Sequence, residues 1–149
     1  LGNCGGALIA PSVVLTAAHC SDYKGKTIKV GAFSRGKDTK NSFKRKVVDD
    51  YLHPNFRKSN YQDDFSLLKL DKEVPMDHTD ITLSVNFDPT VPKISDTVTV
   101  IGMGILEHGS HQLADKVRHL DMSVISDEQC SKDFHGKPVI EVQFCAGKI

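Results

Sequence analysis

The sequence predicts an all-β protein on two observations: short β-type runs bounded by turn residues recur along its length, and no window carries a sustained apolar stripe at helical spacing. The candidate strands are residues 7–9, 13–16, 27–30, 46–52, 65–70, 98–101, 118–124 and 142–146, separated by Gly, Pro, Asp and Lys clusters. The first follows Gly5-Gly6 and ends before Pro11, and the second, Val13-Val14-Leu15-Thr16, is largely β-branched. The third stops at Gly31, the fourth at His53-Pro54, and the fifth starts directly after Asp63-Asp64. In the seventh, Leu120, Met122 and Val124 alternate with Asp121 and Ser123, the pattern of a strand with one buried face. One helical turn is expected at Ser126-Asp127-Glu128-Gln129, where Ser126 caps the first turn and Gln129 reaches back in a capping box. The run Asn86-Phe87-Asp88-Pro89-Thr90-Val91-Pro92-Lys93 has two prolines and little periodicity, which marks a connection between two β units.

Composition narrows the functional classes. The 149 residues are 39% hydrophobic and 26% charged, the make-up of an ordinary globular unit rather than of a disordered, collagenous or coiled-coil chain. Lys and Arg number 19 against 19 Asp and Glu, so there is no long-range field to attract nucleic acid or an anionic membrane, and neither is expected as a partner. No apolar run approaches the roughly 18 residues of a membrane helix. The sequence opens at Leu1 with no initiator Met and no basic segment before an apolar stretch, so its start is expected to be processed or truncated.

Cys4, Cys20, Cys130 and Cys145 include no pair at the close spacing of a zinc knuckle, so a zinc site is a weak reading. An even count suits two disulfides in an oxidising compartment. Four cysteines permit three connectivities, of which the local pairing of Cys4 with Cys20 and Cys130 with Cys145 is the simplest. Four free thiols in a reducing compartment remain the alternative.

Two stretches carry chemistry. The first is Cys4-Gly5-Gly6-Ala7-Leu8-Ile9, followed after a turn by Val13-Val14-Leu15-Thr16-Ala17-Ala18-His19-Cys20, which places a His directly after a strand, where a rigid scaffold presents reactive groups. The second is Asp63-Asp64-Phe65-Ser66-Leu67-Leu68-Lys69-Leu70, a carboxylate pair at the mouth of an apolar strand. A carboxylate entering a buried strand must be hydrogen-bonded or paired, and an imidazole is a suitable partner.

Together these stretches resemble the trypsin/chymotrypsin-like serine proteases. Further matches follow in that family's order: His53-Pro54-Asn55-Phe56, Ile101-Gly102-Met103-Gly104, Val124-Ile125-Ser126-Asp127-Glu128-Gln129-Cys130 and Phe144-Cys145-Ala146-Gly147. The resemblance implies a general base at His19, an orienting carboxylate at Asp64 and disulfides Cys4–Cys20 and Cys130–Cys145. It also implies two packed six-stranded antiparallel barrels, with residues 1–85 as the first without its opening strand, 86–96 as the connection and 97–149 as the N-terminal part of an incomplete second. The implied activity is endoproteolysis by a secreted enzyme acting on protein or peptide substrates, open to protein inhibitors and needing neither cofactor nor metal.

The departures are equally specific. No Gly-Asp-Ser-Gly-Gly segment is present, and no serine sits in a glycine-rich turn able to aim backbone N–H groups at an oxyanion. The nucleophile is therefore expected outside this chain, and the isolated chain is expected to be inactive. A protease-like binding or inhibitor protein that lost its nucleophile is the alternative. Met103 stands where the family usually has Trp, and Val98 where many members have Cys. Ser66, where the family often has Ala, reads as a tolerated small residue, and Asp63 as a solvated neighbour of Asp64. Arg35, Lys37, Lys40, Lys44, Arg45 and Lys46 around Asp38 read as a solvated basic loop, without the acidic pair that holds calcium in some members. His108 and His111 read as exposed loop residues rather than metal ligands, and no N-glycosylation sequon exists.

Overall fold

A computed structural model describes residues 4–75, 83–133 and 143–147. The chain is mostly β and divides into two compact units, one comprising Leu1–Val85 with Met103–Val117 and the other Asn86–Gly102 with Arg118–Ile149.

The first unit holds β1 (Ala7–Ala10), β2 (Val13–Thr16), β3 (Thr27–Val30), β4 (Phe43–Leu52) and β5 (Ser66–Leu70), in the order β1-β2-β5-β4-β3. Every neighbouring pair is antiparallel. β4 begins three residues earlier than the sequence suggests, because Phe43, Lys44 and Arg45 pair with Val30, Lys29 and Ile28. Phe65 lies outside β5: its N–H donates to the Asp63 carbonyl at 2.8 Å, which turns the chain tightly just before the strand. Leu8, Val14, Ile28, Val30, Val47, Leu68, Leu70 and Val74 form the core, with Tyr23 and Phe43 packed against it. Each strand thus contributes at least one residue to a single buried layer, which is why the alternation of β5 is followed so closely by its burial. Gly31, at φ 70°, follows β3 where a side chain would run into the Asn41 carbonyl, so the turn into the next loop needs glycine.

Residues 103–117 belong with this unit through backbone bonds. Arg35 N–H donates to the Asp115 carbonyl at 2.8 Å and Val117 N–H to the Phe33 carbonyl at 3.0 Å, while the Arg35 guanidinium reaches the Met103 carbonyl at 2.7 Å. His108 and His111 are exposed in the same segment.

The second unit carries β6 (Thr97–Gly102), β7 (Arg118–Ile125) and β8 (Cys145–Gly147), in that order and all antiparallel, with α1 (Asp127–Asp133) after β7. Val142, expected in the last strand, lies outside the described residues. α1 runs for seven residues rather than a single turn. Ser126 caps it by accepting the Gln129 N–H at 3.2 Å, but the Gln129 side chain donates forward to Asp133 at 3.0 Å instead of closing a capping box. Burial along β7 also departs from its alternation. Val124 is buried and Met122 half-buried, whereas Leu120 is exposed, because the packing on this sheet is confined to the end near β8 and α1.

No helix is long and apolar enough to cross a membrane, among the described residues.

Candidate active site

β2 and β5 meet at the rung Thr16↔Ser66, and the site grows from that rung in both directions. Two residues beyond Thr16 the chain enters a single 3-10 turn, Ala18–Cys20, with Cys20 N–H donating to the Ala17 carbonyl at 3.1 Å and Ser21 N–H to the Ala18 carbonyl at 3.0 Å. Ala18 is fully buried, so the turn is seated by its first residue and His19 is directed outward. Two ties hold the turn to the start of the chain: the Cys4–Cys20 disulfide, with Cα atoms 6.3 Å apart, and the Thr16 hydroxyl donating to the Gly5 carbonyl at 2.8 Å.

Asp64 precedes Ser66 by two residues, inside the tight turn closed by Phe65 N–H and the Asp63 carbonyl. Its carboxylate takes His19 at two points. Oδ1 accepts the His19 backbone N–H at 2.8 Å, and Oδ2 lies 2.6 Å from the ring Nδ1. A carboxylate is an acceptor only, so Nδ1 donates across this contact and Nε2 is left at the opposite edge of the ring. The His19 side chain is 46% exposed and that of Asp64 21%, so the imidazole faces outward while the carboxylate is shielded. The Tyr61 ring stands edge-on to the imidazole at 5.6 Å and 89° and restrains it from another side. Asp64, not Asp63, meets the imidazole. Asp63 adopts φ 53°, a left-handed conformation that reverses the chain and leaves its neighbour to point at His19.

Cys4, His19 and Cys20 are the one group of metal-ligating residue types gathered closely enough to be considered, among the described residues. Both sulfurs are spent in the disulfide, so no thiolate is available and the imidazole is left as a lone ligand, which does not make a metal site. The Cys20 Sγ lies 3.4 Å from Nε2 and covers part of that side of the ring. In the second unit Cys130 and Cys145 are bonded with Cα atoms 6.1 Å apart, joining α1 to β8.

The basic segment is partly neutralised from within. Asp38 bridges Lys29 at 2.7 Å and Lys44 at 3.0 Å, and these two ammonium groups, Lys29 first, hold its carboxyl below the ordinary carboxylate value. Arg45 donates to the Glu73 carbonyl.

Asp50 is the group near the site that the sequence does not single out. One oxygen accepts the Ser66 hydroxyl, and the other accepts the backbone N–H groups of Asp22 at 3.0 Å and Tyr23 at 3.1 Å. The signal, two consecutive carboxylates inside the run Val47-Val48-Asp49-Asp50-Tyr51-Leu52, is present but does not say which of the two faces inward.

Comparison with known proteins places this arrangement. The family model described as Trypsin matches residues 2–148. Kallikrein 1-related peptidase b3 of Mus musculus is 31% identical over 98% of this chain and 59% of its own length, and kallikrein 1-related peptidase b1 of Mus musculus is 32% identical over 97% of this chain and 58% of its own. The chain therefore spans somewhat over half the length of these relatives. A solved structure of neuropsin, described as a serine protease expressed in the limbic system of mouse brain, superposes with a TM-score of 0.84 at 23% identity, covering 98% of this chain and 64% of that one. At that identity the superposition speaks for the fold.

Proposed function

We propose that this chain, which belongs to the trypsin family of serine proteases, is part of a secreted endopeptidase in which His19 is the general base, Asp64 orients it, and the nucleophilic serine comes from outside these residues. The observation that carries the reading is the two-point seating of His19 on Asp64, at 2.8 Å through the backbone and 2.6 Å through Nδ1. A serine hydroxyl is a poor nucleophile until a base takes its proton. Nε2 takes it as the oxygen attacks the peptide carbonyl, and Asp64 stabilises the imidazolium that forms without itself becoming protonated. The imidazolium then gives the proton to the leaving amine, and water repeats the sequence on the acyl-enzyme. We divide the catalytic scaffold as a first barrel over residues 1–85, a connection over 86–96 and part of a second barrel over 97–149, from which the segment 103–117 is set apart because it packs with the first unit. The substrates are proteins or peptides, the same residues are open to protein inhibitors, and the two disulfides suit an oxidising, extracellular location.

The test is labelling with a fluorophosphonate, which reacts with an activated serine. The full-length protein is expected to label, His19→Ala to abolish labelling, and the 149-residue chain alone to give none. A full-length protein that resists the reagent would replace this reading with the binding or inhibitor homologue.

A further inference from the structure

We propose that Asp50 is a positioning residue for the His19–Asp64 pair, acting through a bridge that ties the segment carrying His19 to the segment carrying Asp64. The proposal rests on the protease reading above and adds to it a second carboxylate.

The bridge is built by a bulge. β4 pairs Val47 with Leu70, then Asp50 with Leu68 and Leu52 with Ser66, so one extra residue enters β4 between Val47 and Asp49. Strict alternation from the inward Val47 would send Asp49 inward and Asp50 outward. The bulge reverses this and sets Asp50 across from the fully buried Leu68, diagonal to Ser66, which is also buried. A half-buried carboxylate on an inner face needs partners, and Asp50 has three donors. Ser66 lies two residues after Asp64. Asp22 and Tyr23 lie three and four residues after His19, beyond the 3-10 turn, and Asp22 takes φ 75° so that both N–H groups converge on one oxygen. Asp64 and Asp50 thus do the same thing at two places: each carboxylate spans the same two segments. Asp64 does so at the imidazole, and Asp50 behind it. With Asp50 removed, the disulfide still holds Cys20, but residues 22–23 and the start of β5 lose their common anchor, and the Nδ1–Oδ2 geometry is free to drift.

The experiment uses the full-length, activated protein, with kcat counted per site titrated by fluorophosphonate. Asp50→Ala is expected to lower kcat about tenfold with KM changed less than about twofold, the pattern of a displaced catalytic group. The low-field proton resonance of the His19–Asp64 hydrogen bond should broaden or shift. Asp50→Asn is expected to recover most of kcat, because its carbonyl can accept the two N–H groups while its amide donates to the Ser66 oxygen. Ser66→Ala removes one arm and should cost about two- to fivefold, and it keeps the test alive if Asp50→Ala fails to fold. Wild-type turnover per titrated site in Asp50→Ala or Ser66→Ala, with only the melting temperature lowered, overturns the proposal and leaves the protease reading intact. A wild-type protein that does not label overturns the protease reading and this proposal with it.

Discussion

In the five-stranded sheet, β5 buries Ser66, Leu68 and Leu70 and exposes Leu67 and Lys69 between them. In the three-stranded sheet, Val100 and Leu120 face each other across β6 and β7 in equally regular register, yet they are 51% and 48% exposed. The two regions have the same strand grammar and different fates. Alternation decides which side chains share a face, but a face is buried only when other strands supply a layer against it. β1 to β5 supply that layer to one another. Among the described residues of the second unit, Val124 and Cys130 are the buried apolar positions, both at the end where β8, α1 and the Cys130–Cys145 disulfide gather.

The sharpest way to break this comparison is to truncate one leucine in each sheet. Leu68 has no exposed surface, and Leu68→Ala in the full-length protein is expected to cost about 2–5 kcal/mol by chemical denaturation. Leu120→Ala is expected to cost less than about 1 kcal/mol, and equal costs would mean that the Leu120 row is covered in the longer protein. A smaller effect sharpens the picture at α1. Ser126→Ala removes the acceptor of the Gln129 N–H and should cost about 1 kcal/mol, with faster amide exchange confined to the first turn of α1. The smallest effect belongs to the exposed Lys29–Asp38–Lys44 cluster. Because the two lysines hold the Asp38 carboxyl below its ordinary value of 3.8, the stabilisation is present above that pH and is lost as the pH falls through the lower folded value. Asp38→Asn should therefore differ slightly from wild type at neutral pH, and the gap should close on acidification and on adding salt.

The pairing of residues 19 and 64 was legible because each stands in a motif bound to a strand end, and because an Asp entering an apolar strand demands a partner. The strands of the first sheet were legible as short β-type runs bounded by turn residues, apart from the early start of β4 and the exclusion of Phe65 from β5. Three things were not. The inward turn of Asp50 depends on a bulge, which depends in turn on how β4 pairs with both β3 and β5, and no local pattern in residues 46–52 encodes it. Ser66, read as a tolerated small residue, takes its meaning only from that bulge. The Gln129 side chain had two partners to choose from, the Ser126 N–H that its oxygen would accept in a capping box and the Asp133 carboxylate to which its amide donates, and the choice of Asp133 is a matter of side-chain geometry along α1.

The rung Thr16↔Ser66 is the common origin from which His19 and Asp64 are both measured, three residues forward on one strand and two back on the other. Insertions and deletions therefore have unequal consequences along this chain. The connection from Asn55 to Asn60 can lengthen, shorten or change character without moving either member of the pair, since neither position is counted through it. A single residue gained or lost between Thr16 and His19, or between Asp64 and Ser66, separates them. The surroundings of the imidazole are therefore open to remodelling by loop exchange, whereas the two short spacers are not.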